Sequence, residues 1–129
     1  MSYYEDLTAY SYYTPGKLNN EWNVGWLDEH HPFLTGPIDP ELCEKLLKLC
    51  HRPVRQMRGY HYCSFCKGTN VPVTVESSAG VLKLGAAEIR VEGRDGRIYA
   101  CPDLIYHYVK VHNYRPPEDF LEAIRSVTV

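Results

Sequence analysis

Two pairs of side chains in this sequence have the types and the spacing that bind a metal ion. Cys63 and Cys66 form a C-x2-C pair, and 40 residues separate Cys66 from the H-x4-H pair of His107 and His112. Cysteine sulfur and histidine nitrogen are the ligands of closed, tetrahedral zinc sites. The four residues therefore predict a structural Cys2His2 site for Zn2+. Gly68 is expected to relieve the backbone where the C-x2-C turn closes.

Other side chains leave alternatives to this ligand set. Cys101 lies close to the start of the helix predicted to carry the histidines, and His61 lies two residues before Cys63. Either of them can replace one of the four ligands. The interpretation without a metal is that Cys63 and Cys66 are small buried apolar residues, as free cysteines often are.

The elements around the two pairs must bring the ligands together. A strand is predicted at residues 59–62, directly before the cysteines. A helix predicted from Pro102 to His112 carries the histidines, and Asn113 suits its end because asparagine tolerates the left-handed conformation. His107 and His112 lie about 140° apart around an ideal helix, so the last turn is expected to distort.

Residues 38–50 have the signature of another helix. Asp39 is a good N-cap, and Pro40 suits the first helical position. Leucines recur along one face of this segment, with charged residues on the other. Cys43 and Cys50 fall on the apolar face and are expected to be core residues rather than metal ligands.

Alternation and turn residues predict a small sheet. Residues 87–92 alternate apolar with charged side chains, which predicts a half-buried strand, and Gly-Arg-Asp-Gly at 93–96 turns it into a partner at 97–100. The run 71–75 contains a proline and is at best an edge strand. With a last helix after Pro117, the predicted fold is α+β: a small antiparallel sheet with about three helices, held together by a zinc-finger-like metal site.

The chain length of 129 residues predicts a single domain. Residues 1–37 form an aromatic-rich N-terminal wrap that is expected to pack across the core, and residues 38–129 form the zinc-containing α+β core. The first residues lack the basic and apolar regions of a secretory signal, and no apolar run is long enough to span a bilayer. Five cysteines fit reduced thiols, so the cytoplasm is the expected compartment.

The charge balance bears on the partner. Acidic residues outnumber lysines and arginines by 16 to 14, and the formal net charge is −2. Proteins that bind nucleic acids generally carry an excess of basic residues on one face. The composition therefore argues against DNA or RNA as the main partner and favours another protein.

A second group of residues combines aromatic and ionisable side chains. Trp22 and Trp26 are followed by Asp28, His30 and His31. Apolar anchors beside polar groups are typical of a recognition surface, so these five residues are predicted to form a binding surface. The alternatives are burial of the tryptophans in the core, with a solvated loop beside them, and acid–base chemistry or a second metal site at the loop 28–31.

Four motifs are distributed over nearly the whole chain: N-V-G-W-L-D at 23–28, H-Y-C-x2-C at 61–66, L-G-x-A-E-I-R-V at 84–91, and Y-H-Y-V-x2-H-x-Y-x-P-P at 106–117. They resemble an uncharacterised family of small bacterial proteins. The resemblance implies a complete protein of bacterial type without implying an activity.

Two classes of function remain open from the sequence. The favoured one is a zinc-binding, non-catalytic interaction module, of an accessory or immunity type, that binds another protein. The alternative is a small metal-dependent or acid–base hydrolase that uses the loop from Asp28 to His31. The first is preferred because no catalytic constellation stands out once the metal ligands are assigned.

Overall fold

The computed structural model of the protein describes residues 3–10, 20–56, 59–66, 72–78 and 80–128. Gly68, the predicted turn glycine, lies outside these residues. Within the described ranges the chain forms six strands and three helices, in the order β1 (Glu21–Asn23), α1 (Pro40–Cys50), β2 (Arg55–Gln56), β3 (Val73–Ser77), β4 (Gly80–Leu84), β5 (Ala87–Glu92), β6 (Ile98–Pro102), α2 (Ile105–His112) and α3 (Glu118–Ser126). None of these helices combines the length and the apolar composition needed to cross a membrane.

The strands form two sheets. Four of them are arranged in the order β1-β6-β5-β2, and β3 pairs with β4 in a separate antiparallel hairpin. In the larger sheet β5 pairs antiparallel with both β6 and β2, whereas β1 pairs parallel with β6. The predicted α+β class is therefore confirmed, and the sheet is antiparallel except at its β1 edge.

Helices α1 and α3 contact strand β5 of the larger sheet, and α2 packs against α1. Helix α1 begins as its sequence predicts, because the Asp39 carboxylate accepts a hydrogen bond from the Glu41 N–H at 3.0 Å and Pro40 follows this cap. Its apolar face contacts α2, α3 and β5. The core formed in this way includes Ile89 and Val91 of β5, which alternate with the charged residues of that strand.

The other face of β5 is also buried, which corrects the prediction of a half-buried strand. The Glu88 side chain is fully buried and accepts a hydrogen bond from the Tyr10 hydroxyl at 2.9 Å. The Arg90 guanidinium lies 2.9 Å from Glu88 and 2.7 Å from Glu21, and it also covers the Tyr10 ring. The N-terminal segment therefore covers the polar face that alternation alone assigns to solvent.

This N-terminal segment is more regular than the sequence suggests. The Asn23 N–H donates to the Thr8 carbonyl at 2.7 Å, and the Tyr10 N–H donates to the Glu21 carbonyl at 3.0 Å. These bonds place residues 7–10 along β1, so β1 lies between this segment and β6. The aromatic side chains predicted an irregular wrap, and residues 7–10 within it extend the sheet.

Two predicted boundaries near the ligands are wrong. Residues 59–62 form no strand; the His61 N–H makes one ladder-like bond, to the Gly85 carbonyl at 2.9 Å. Pro102 ends β6 rather than beginning a helix, and α2 starts at Ile105. Asp103 between them is 3% exposed. Its buried carboxylate is compensated by backbone N–H groups, including that of Gly85 at 2.8 Å.

Gly85 is thus the point where three parts of the chain meet. It lies in the turn between β4 and β5. Its carbonyl accepts the N–H of His61, before Cys63, and its N–H donates to the Asp103 carboxylate, between β6 and α2. Its φ of +111° favours glycine, and a Cβ there would overlap the His61 carbonyl oxygen. The close approach of these three segments brings the cysteine turn towards α2.

Gly85→Ala is expected to destabilise the protein more than Gly80→Ala. Gly80 has a similar φ of +108° but open space at its Cβ position, so both variants bear the backbone penalty and only Gly85→Ala adds a clash. The clash should lower the unfolding free energy by a further ~1–3 kcal/mol. Urea unfolding of the two variants measures this difference, and equal midpoints would show that the contact with His61 does not affect stability.

Candidate metal centre

The two cysteines lie in a tight turn in which backbone N–H groups point at the sulfur of Cys63. The Cys66 N–H approaches the Cys63 carbonyl at 3.3 Å, and the N–H groups of Phe65 and Cys66 donate to the Cys63 sulfur. The pKa of the Cys63 thiol is raised to about 11, mainly because the thiol is buried, and these two N–H groups oppose the rise. Hydrogen bonds of this kind stabilise a thiolate, which is the form that binds a metal.

The two histidines lie on α2. His107 is 8% exposed, and burial lowers its pKa to about 4, with the nearby His112 as a further cause. Burial lowers the pKa of His112 as well. Both imidazoles are therefore neutral near pH 7 and keep the lone pair that a ligand needs.

The end of α2 sets where the histidines point. The helix includes His112, and Asn113 takes the predicted left-handed conformation directly after it, with φ of 59°. The ring centroids of His107 and His112 lie 4.9 Å apart. The two rings thus converge while His112 stays helical, although its spacing from His107 predicts a distorted last turn.

The four side chains meet at one point. His112 Nε2 lies 3.3 Å from the Cys63 sulfur and 3.4 Å from the Cys66 sulfur, and His107 Nε2 lies 3.2 Å from the Cys66 sulfur. All four ligand atoms lie within 4.8 Å of one another. With zinc bond lengths, the ligand atoms of a tetrahedral Cys2His2 site are about 3.3–3.8 Å apart. The cluster can therefore hold a metal ion after small adjustments.

The alternative ligands lie elsewhere. Cys101 is fully buried in β6 among apolar side chains, and His61 is absent from the ligand cluster formed by the described residues. Cys50 is 1% exposed, and its thiol donates to the Asp103 carbonyl at 3.5 Å. Cys43 packs against the same core. Neither of these helix α1 cysteines belongs to the cluster, as their position on the apolar face predicts.

An aromatic side chain between the cysteines fixes the turn in place. The Phe65 ring contacts the His112 ring at 5.3 Å, the Tyr108 ring at 5.7 Å and the Phe33 ring at 5.3 Å between centroids. Phe33 also contacts Tyr114 at 5.9 Å. Aromatic contacts of this kind stabilise by ~0.5–1.5 kcal/mol each. Phe65 is not among the residues predicted for the site, and its position inside C-x2-C is the signal that could have indicated it.

Comparison with known proteins places the chain in a family. The model of a domain of unknown function, DUF7919, matches residues 2–125. The chain belongs to this family. The match includes both ligand pairs and confirms the prediction of an uncharacterised family. No curated protein and no solved structure matches the chain.

The DUF7919 fold separates the five residues predicted to form a binding surface. Trp26 is 3% exposed, and its indole N–H donates to the Ala100 carbonyl at 2.9 Å. Trp22 is half-buried, with the Arg97 guanidinium 5.0 Å from its ring centroid. The inclusion of Trp26 in a surface is therefore wrong, because this ring closes the second face of the sheet.

Asp28, His30 and His31 remain accessible in the loop before Phe33. The Asp28 carboxylate lies 2.6 Å from His31 Nδ1 and accepts the His30 N–H at 3.1 Å. The hydrogen bond with His31 lowers the pKa of Asp28. The Tyr3 ring stacks on the His31 ring at 3.8 Å, so the imidazole is held from two sides.

Replacing a ligand cysteine should cost far more stability than replacing a core cysteine. For Cys66→Ala we expect a loss of several kcal/mol, because metal binding and folding are coupled. The same change at Cys43 removes only a small apolar group and should cost ~1 kcal/mol. Urea unfolding with and without a chelator tests both. Equal losses, or a chelator without effect on the wild type, would contradict a structural metal.

Proposed function

We propose that the Cys2His2 cluster holds one structural Zn2+ ion. The observation that carries this proposal is the convergence of two sulfurs and two neutral imidazole nitrogens within 4.8 Å. Mixed sulfur and nitrogen ligands in a tetrahedral arrangement favour zinc over Mg2+ or Ca2+, which prefer oxygen. Four protein ligands fill the coordination shell and leave no position for a water or a substrate.

The ion would join the Cys63–Cys66 turn to helix α2, and 40 residues separate Cys66 from His107. The described part of this stretch contains β3 to β6 and the turn at Gly85. In a domain of this size, such a link contributes several kcal/mol to folding. The role of the zinc is therefore structural.

Protein purified without added metal should contain about one equivalent of zinc per chain. Exchange with Co2+ should give the visible absorption of a tetrahedral site with sulfur ligands, and Cys66→Ala should abolish that spectrum whereas Cys43→Ala should keep it. Elemental analysis and absorption spectroscopy measure both. An octahedral cobalt spectrum, or zinc that persists in Cys66→Ala, would contradict the proposal.

For the biological role we propose a non-catalytic module of an accessory or immunity type that binds another protein in the cytoplasm. Support comes from the loop 28–34, which is accessible beside a closed metal centre. His30 has a side chain that is 79% exposed, and Leu34 is 75% exposed. An exposed apolar side chain next to an oriented imidazole has the composition of a small recognition surface.

The geometry of the Asp28–His31 pair favours a second candidate, an acid–base hydrolase. A carboxylate 2.6 Å from Nδ1 holds the imidazole so that Nε2 can take a proton. A nucleophile within reach of that nitrogen is also needed, and no hydroxyl or thiol bonds His31 among the described residues. The binding role is therefore preferred.

Substitution of the loop separates the two candidates. Asp28→Ala and His31→Ala should keep the zinc content and the unfolding midpoint, because both side chains lie at the surface, and should weaken binding to a partner identified by affinity purification by about tenfold. Asp95→Ala, at the tip of the β5–β6 hairpin, is the control and should bind normally. Normal binding by the loop variants, together with loss of a measurable hydrolytic activity, would support the enzyme instead.

A further inference from the structure

A groove lies between strand β3 and helix α2, beside the metal centre. It has a volume of about 460 Å3, and residues 72–75 form one wall. The other wall consists of Tyr106, His107, Lys110 and Val111, and Cys66 lies between the two. This volume is within the range of sites that bind small molecules and short peptide segments.

The β3 wall presents the edge of a strand. Successive side chains of a strand point to opposite faces, so four consecutive lining residues mean that the groove borders the backbone as well as one face. Strand β4 occupies the opposite edge of β3. Among the described residues, the backbones of Val73, Thr74 and Val75 make no hydrogen bond outside this hairpin. The free edge therefore offers N–H and C=O groups to another strand.

The helix wall adds an apolar surface and one charge. Val111 is 58% exposed, and Tyr106 in the same wall is buried. Lys110 is the one charged residue of the described lining, and it forms no ion pair with any other described residue. An acidic group of a ligand would complement this unpaired ammonium.

We propose that this groove binds an extended segment of another protein as an added strand along β3. Apolar side chains of the segment would pack against Val73 and Val75, and an acidic side chain would face Lys110. Four strand residues span ~13 Å, so the groove would bind a short sequence motif of the partner. This inference rests on the proposed protein-binding role but assigns a surface separate from the loop 28–34.

The metal centre contributes to the shape of this groove. Cys66 in the cysteine turn and His107 on α2 both line it. An ion that joins these two side chains would fix the position of the cysteine turn against the helix wall. Main-chain pairing with a strand edge then supplies affinity, and the pockets for alternate side chains supply selectivity.

The test uses zinc-loaded, isotope-labelled protein and an array of capped hexapeptides that alternate apolar residues with threonine and carry one aspartate at varied positions. We expect members of the array to shift the amide resonances of residues 73–75. N-methylation of alternate peptide amides should weaken the best binder at least about tenfold, since it removes the hydrogen bonds of strand pairing. Binding that N-methylation leaves unchanged would show a merely apolar contact and overturn the proposal.

Matched variants locate the site. Val111→Asp and Lys110→Glu should each weaken peptide binding at least about tenfold at unchanged zinc content. The same changes on other surfaces, Val81→Asp on β4 and Lys48→Glu on α1, should have no effect. An array without a binder, or equal loss in the control variants, would overturn the groove. Peptide binding that survives Asp28→Ala would leave the groove supported even if the loop proves to have no partner.

Discussion

The ligand cluster places four lone pairs from two distant segments within 4.8 Å of one another. Bringing two sulfurs and two imidazole nitrogens so close is favourable when a shared cation replaces the water that each of them loses. The cysteine turn and α2 are both positioned for this: N–H groups point at the Cys63 sulfur, and burial keeps His107 neutral. The rest of the fold brings these two parts together.

Several weaker interactions also hold the cysteine turn close to α2. Phe65 packs between the rings of His112, Tyr108 and Phe33, so the cysteine turn contacts α2 through an aromatic cluster as well as through the proposed ion. Gly85 bonds His61, before the turn, and Asp103, between β6 and α2. Each of these contacts joins residues distant in the sequence, so each must offset the entropic cost of closing a loop of chain.

The second face of the sheet combines electrostatic interactions with the apolar packing of Tyr10 and Trp26. Glu88 is fully buried, and its charge is balanced by Arg90, which also pairs with Glu21. Removing one partner of such a group would leave a buried charge uncompensated, which commonly costs ~3–5 kcal/mol. The N-terminal segment therefore has a structural role. The tryptophans that suggest a binding surface are buried or half-buried in it. The accessible remainder is the loop 28–34.

Elements whose signals are local could be predicted from the amino-acid sequence. The cap at Asp39, the left-handed Asn113 and the β5–β6 hairpin lie where their residues predict, since each depends on neighbours a few positions away. The ligand pairs could be recognised for the same reason: C-x2-C and H-x4-H spacing restricts each pair independently of the fold.

Contacts between distant segments of the chain could not be predicted in this way. Alternation assigned Glu88 to solvent, but Tyr10, 78 positions earlier in the chain, covers it. The parallel pairing of β1 with β6 and the burial of Trp26 under Ala100 also join residues more than 70 positions apart. Such contacts leave no period or spacing in the sequence, because the free energy that selects them comes from packing the whole chain at once.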